Sequence, residues 1–252
     1  MEKKTPKSSI QSIDRAIQIL KCFETNDALG VTEISRMLGL HKSTTFGLVN
    51  TLLQNKFLEQ TLATGKYHLG IELFRLSANV KIGIREVSIP HVKQLVEATG
   101  ETVNLVLQDD IYVVYIEKEE SPHSMRICTR IGERLPMYCT AVGKAILANL
   151  EPQEVVSILD RTKMQMHTEK TLKTKTEVLA DLKEIRQKGY ALDNEELEYG
   201  LVCVAVPIFD ASSRPVSALS ISGPKQRMTD ANVRSISEQL LFHANLISKK
   251  MY

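Results

Sequence analysis

The sequence predicts an α+β chain: an N-terminal winged helix-turn-helix, a linker helix, and a C-terminal domain that mixes helices with a largely antiparallel sheet. Two observations in the sequence order predict it. The stretch Val31 to Thr51, VTEISRMLGLHKSTTFGLVNT, reads as two short helices around a sharp turn. From Ile89 onward, runs of β-branched residues separated by turn residues alternate with helical periods. A third observation is electrostatic. Residues 1–85 hold 12 Lys and Arg against 7 Asp and Glu, whereas residues 86–252 hold 20 against 23, so the slight net charge of +2 conceals a basic head and an acidic body. A basic excess suits a module that displaces counterions from phosphates.

In the turn-centred stretch, Val31, Ile34 and Leu38 recur at three- and four-residue spacing and make one side of the first helix apolar. Gly39 breaks the period where the backbone must turn, a position glycine accepts without steric cost. In the second helix Leu48, Leu52 and Leu53 are expected to face inward. Lys42, Ser43, Thr44 and Thr45 crowd its first turn, where helix amides and short hydroxyls meet phosphates and base edges. The same pattern also fits an ordinary helical hairpin with Ser and Thr as caps. The flanks favour the DNA reading. Upstream, Ile13, Ile17, Leu20 and Phe23 share one face of a helix that closes a three-helix core; downstream, FLEQT and KYHLG flank LATG as two short strands of a wing, with Lys66 and Tyr67 placed to touch DNA.

Residues 1–9 read as a frayed arm, with Lys3, Lys4 and Lys7 able to touch DNA if they order there. The winged domain is expected over 10–70. Ile71, Leu73, Phe74, Leu76, Val80 and Ile84 fit one amphipathic linker helix over 71–85, whose apolar face suits either its copy in a dimer or its own second domain. One winged domain reads few base pairs, so two copies about 34 Å apart on a palindromic duplex site are expected. The body, 86–252, is expected to open with a helix from His91 to Thr99. Strands follow at TVNLVLQ, IYVVYIEK, Met125 to Thr129, Val202 to Ile208 and Val216 to Ser222. Helices are expected at Ala141 to Leu150, Pro152 to Leu159, Glu177 to Lys188 and Asp230 to Lys250, the third introduced by a Thr174–Glu177 capping box and stopped by Gly189.

In LPMYCTAVGKAILANL, Thr140 is placed to cap a helix whose first amides, at Ala141, Val142 and Gly143, form a small and uncrowded N-terminus suited to a carboxylate. A plain capped helix with small packing residues fits the same segment. Cys22, Cys128, Cys139 and Cys203 lie far apart and the six histidines are scattered, so neither a disulfide framework nor a metal site is indicated, and no cofactor is expected. Cys203 reads as a small strand hydrophobe, a ligand contact or a nucleophile. DNEELEYG reads as a solvated acidic loop. No apolar run approaches the roughly 20 residues that span a bilayer, and MEKKTPKSSIQS has no apolar signal core, so a cytoplasmic protein without membrane attachment is expected.

Across nearly its whole length the chain resembles the IclR family of bacterial transcription regulators. The resemblance is carried in order by SIDRAIQIL, GLHKST, GKYHLG, IGERLPMYCTAVGKAILA, DNEELEYGLVCVAVPIFD and ALSISGP. It departs at His41 and Gly47, where the family usually has proline and a basic residue, which points to an operator unlike a typical one. Gly47 also weakens its helix by about 1 kcal/mol relative to Ala. The resemblance implies a GAF-like C-terminal domain, a homodimer or homotetramer, and a regulator, expected to be a repressor, that senses a small carboxylic or sugar-derived acid. Carried over by position, the effector would meet the amides of Ala141 and Val142, the hydroxyls of Ser220 and Ser222, and Cys203 and Asp193, with Ser124, Ile127, Leu135 and Leu201 as wall. Ser220 and Ser222 lie two apart and so share one strand face. Asp193 either accepts from a ligand hydroxyl or serves only in a turn. The rival expectations are a small α+β enzyme using Cys203 or Cys139, and an architectural DNA-binding protein with no effector.

Overall fold

A computed structural model describes residues 10–80 and 82–251, so the arm at 1–9 lies outside the described residues. The chain divides between Lys81 and Ile82 into two compact units.

The first unit contains α1 (Gln11–Lys21), α2 (Val31–Leu38), α3 (Lys42–Gln54), β1 (Leu58–Gln60), β2 (Tyr67–Leu69) and α4 (Ile71–Ser77). Glu33 accepts the Gly30 N–H at 2.6 Å to start α2, and Gly39, at φ 62°, ends it in the left-handed conformation that the turn requires. β1 and β2 pair antiparallel, Leu58 opposite Leu69, and Leu29 adds a bridge to Tyr67. Ile19, Phe23, Leu29, Ile34, Val49, Leu52 and Leu58 form the core, with Leu48 and Leu53 partly buried against it. Two of the four residues expected to close the core fail on α1: Ile13 and Ile17 are exposed, whereas Leu20 and Phe23 pack inward as expected and are joined by Ala16 and Ile19. The apolar arc of this helix is broad, and periodicity alone does not select which flank of it packs.

The single helix expected from Ile71 to Ile84 is two helices, α4 and α5 (Gly83–Thr99). At the end of α4, Ser77 Oγ donates to Phe74 O and, two residues further on, Asn79 Nδ2 donates to Arg75 O, local bonds that compete with helix propagation. Conversely, α5 begins eight residues before His91 and runs through Pro90, because packing of Ile84, Val92 and Leu95 overrides a residue that usually marks a boundary.

Among the described residues the second unit holds one antiparallel sheet of order β5-β4-β3-β8-β7-β6. Its strands are β3 (Thr102–Asp109), β4 (Tyr112–Glu119), β5 (Arg134–Pro136), β6 (Ala191–Asn194), β7 (Leu201–Phe209) and β8 (Pro215–Pro224). The period of two sorts each strand. Val202, Val204, Val206, Leu219 and Ile221 pack under α5 and α9 (Asp230–Lys250). Cys203, Ala205 and Ala218 face α6 (Ala141–Leu147), α7 (Pro152–Arg161) and α8 (Lys175–Lys188) on the other side. The Thr174–Glu177 capping box and the left-handed Gly189 bound α8 as expected.

Met125 to Thr129 is not a strand. Its carbonyls are taken by side chains: Thr102 Oγ1 donates to Ile127 O, Lys118 Nζ to Thr129 O and Arg227 Nη2 to Met125 O. The short edge strands β5 and β6 had no signal strong enough to be expected. The DNEELEYG run is also not a solvated loop, because Asp193, Glu195 and Glu196 are buried.

Candidate functional site

At the head of α3, Lys42, Ser43 and Thr44 are exposed, side by side, on a helix end that has no side-chain cap of its own. Thr45 differs: it is fully buried and its Oγ1 donates to His41 O at 3.1 Å, so it belongs to the core with Val49 and Leu52 and cannot reach a groove. Tyr67 is likewise a core residue, held through backbone pairing with Leu29 and packed in the three-helix cluster. The wing alternates by strand period, and the side that faces the helices fell to Tyr67. Lys66 remains half-exposed, with its Nζ 3.2 Å from Glu33 Oε1. Beyond Thr44 the outer face of α3 shows Phe46 and the unobstructed Gly47.

The second unit contains a cavity of about 300 Å³ between the sheet and the start of α6. Of the ten residues expected around an effector, Ile127, Leu135, Ala141, Val142, Asp193, Leu201, Cys203, Ser220 and Ser222 line it, although they come from β5, β6, β7, β8, α6 and an irregular segment. Ser124 does not; it is exposed and outside the lining. The register explains the convergence. Asp193 pairs with Cys203, and Cys203 with Ser222, so three adjacent strands aim these side chains the same way.

Thr140 Oγ1 accepts the Gly143 N–H at 3.2 Å and itself donates to Pro136 O. That leaves the cavity-lining N–H groups of Ala141 and Val142 without a hydrogen-bond acceptor among the described residues. Gly143 is therefore neither free nor uncrowded: its Cα rests on the Met137 backbone. Opposite, Asn104 ties the wall together, its Nδ2 donating to Ser222 Oγ at 3.4 Å while Thr129 Oγ1 donates to its Oδ1 at 2.5 Å.

Tyr115, Thr129 and His167 also line the cavity and were not expected. Tyr115 carried only an alternating strand pattern, and His167 sits in an irregular stretch with no motif. Burial and the neighbouring Asp193 push the Cys203 thiol well above its usual range, and burial does the same to Cys139, up to about 12. Neither thiol is poised as a thiolate nucleophile. Asp193 accepts the Glu196 N–H at 2.7 Å, and burial followed by the Glu196 carboxylate raises its carboxyl to about 7. Among the described residues no cluster of metal-binding side chains is present, and no helix is long and apolar enough to cross a membrane.

A winged helix-turn-helix joined in one chain to an antiparallel-sheet unit with a small cavity, apolar-walled and set with a few polar groups, defines a ligand-responsive transcription regulator that binds DNA through the first and a small-molecule effector through the second. Residues 12–62 match the IclR helix-turn-helix domain and residues 77–249 match the family of the bacterial transcriptional regulator IclR C-terminal domain. The chain is 38% identical over 234 residues to the HTH-type transcriptional regulator XynR of Escherichia coli, covering 92% of this chain and 93% of that protein. It is 33% identical to the Transcriptional repressor IclR of the same organism, covering 92% and 86%. The fold is shared with the crystal structure of an IclR homolog complexed with 4-hydroxybenzoate from Microbacterium hydrocarbonoxydans, at TM-score 0.85 and 22% identity over 96% and 99% of the two chains. The chain belongs to the IclR family of transcription regulators, which are not enzymes.

Proposed function

We propose that this chain is a cytoplasmic repressor whose winged unit (10–70) holds a palindromic operator as a homodimer or homotetramer, and whose body (86–252) lowers that grip when a small carboxylic or sugar-derived acid fills the cavity. Residues 71–85 connect the two. The observation that carries the reading is the convergence of Ala141, Val142, Asp193, Cys203, Ser220 and Ser222 on one cavity from four separate elements, α6, β6, β7 and β8. Two unpaired amides and two hydroxyls suit a carboxylate, and Asp193 suits a ligand hydroxyl. The relative named Transcriptional repressor IclR supports the repressor sense, and the 4-hydroxybenzoate complex of a protein with this fold supports an acid as the ligand class.

On the operator, Lys42, Ser43 and Thr44 would supply the phosphate and base contacts and Lys66 the wing contact. Occupancy changes operator affinity only if the acid binds two arrangements of the oligomer unequally.

The experiment is a thermal-shift screen of small acids on the full chain, followed by DNA-binding titrations with and without the best stabiliser. A ligand at about 100 times its dissociation constant adds about 2.7 kcal/mol of stability. If Ser222→Ala and Asp193→Ala both leave the response to every stabilising acid intact, the cavity is not the effector site.

A further inference from the structure

Among the described residues, the cavity that would take an acid is lined by no lysine or arginine. Its charged lining groups are Glu133, Asp193, Glu198 and His167. Glu133, Glu198 and His167 are exposed and keep their water, whereas Asp193 is 1% exposed and forms no ion pair among the described residues. The neighbouring elements do not supply a counter-charge. From α6 comes the ammonium of Lys144, but Glu196 and Asp181 of α8 already share it at 2.5 and 2.8 Å. β7 contributes the Cys203 thiol, β4 the Tyr115 phenol and the turn before α6 the Cys139 thiol, none of them cationic. One buried cation therefore faces three buried or half-buried carboxyls, and the one without an ion pair among the described residues is the one in the cavity, where it accepts the Glu196 N–H.

We propose that Asp193 meets the effector as a carboxylic acid rather than a carboxylate, so that a small acid is captured together with one proton. This rests on the cavity being the effector site. A second anion brought beside an ionised Asp193 in a space without lysine or arginine would be repelled, whereas the protonated carboxyl can donate to the ligand carboxylate through its O–H and still accept from a ligand hydroxyl through its other oxygen. Burial already raises the Asp193 carboxyl to about 7, and an arriving carboxylate raises it further. The sign follows: capture is strongest below the free-state midpoint and falls by about tenfold per pH unit above it, one proton being lost from the complex for each ligand released.

The test uses the full chain labelled with [γ-13C]aspartate, with Asp193→Asn to assign the resonance, titrated from pH 5 to 9 alone and with millimolar sodium glycolate or sodium 4-hydroxybenzoate. We expect a free midpoint near neutrality that moves upward with the acid. In Asp193→Asn, which keeps a donor and has no charge to titrate, the affinity for that acid becomes independent of pH between 6 and 8.5. A free midpoint below pH 5, or a midpoint that neither acid moves, overturns the proposal. If the midpoint stays put while Ser222→Ala abolishes binding of the acid, the proton linkage falls and the cavity reading stands. If neither Ser222→Ala nor Asp193→Asn alters binding, the cavity reading falls as well.

Discussion

Lys144 and Glu196 form a buried ion pair, Nζ to Oε1 2.5 Å, one turn along α6 from the cavity-lining Ala141, and Asp181 completes the site at 2.8 Å. Lys144 is 1% exposed, so its charge is tolerable only because both carboxylates meet it; desolvation lowers its affinity for a proton and the two carboxylates more than restore it. Replacing Lys144 by Met should therefore strand two acids and cost about 3–5 kcal/mol. Urea unfolding of Lys144→Met, and of the triple variant in which Glu196 and Asp181 also become Leu, should show the triple variant recovering most of the loss.

Two glycines in helices should respond oppositely to alanine. A methyl on Gly143 would overlap the backbone of Met137, so Gly143→Ala is expected to cost about 3 kcal/mol or more and to distort the cavity. Around Gly47 the space is open and φ is helical, so Gly47→Ala should stabilise by about 0.5–1 kcal/mol. Thermal melts of the two variants, run side by side, check both signs.

Lys42 and Thr45 are three residues apart and should separate binding from stability. Lys42→Ala removes an exposed charge, and should weaken DNA binding and reduce the slope of log K against log salt by about 1 while leaving the melting temperature unchanged. Thr45→Ala deletes a fully buried methyl and hydroxyl, should cost about 1 kcal/mol, and should leave the salt slope alone. Tyr67→Ala should be the most damaging of the set, at about 3–5 kcal/mol, through loss of core rather than of a DNA contact.

Glu195 should govern part of the acid limb of stability. Lys170, Lys225 and the Gly200 N–H bind its carboxylate and hold it down to about 2, against an ordinary value of 4.5. Since the folded state holds the charged form more tightly than the unfolded chain does, the contribution is complete above about pH 4.5 and disappears as pH falls toward 2. Melting temperatures of Glu195→Gln and the parent between pH 2 and 6 should converge at the acid end and separate at the neutral end.

Sequence alone determined what depends on neighbours within a turn or a strand. Gly39 at the turn, the Thr174–Glu177 box, Thr140 as a cap, the extent of α9 and the two-residue spacing of Ser220 and Ser222 are local in origin, because cap, turn and period chemistry act over four residues or fewer. Nine of the ten residues expected around an effector also line the cavity, and they were legible through ordered motifs rather than through physics of the single residues. Tertiary structure decided the rest. Which flank of the apolar face of α1 packs, whether Thr45 and Tyr67 point to solvent, where the 71–85 helix breaks, and that Asp193, Glu196 and Lys144 are buried together all depend on residues distant in sequence. Burial of a charge is the clearest case. An acidic run reads as solvated until the fold buries it beside a lysine 52 residues away, and neither the desolvation nor the ion pair that offsets it can be seen in the local sequence.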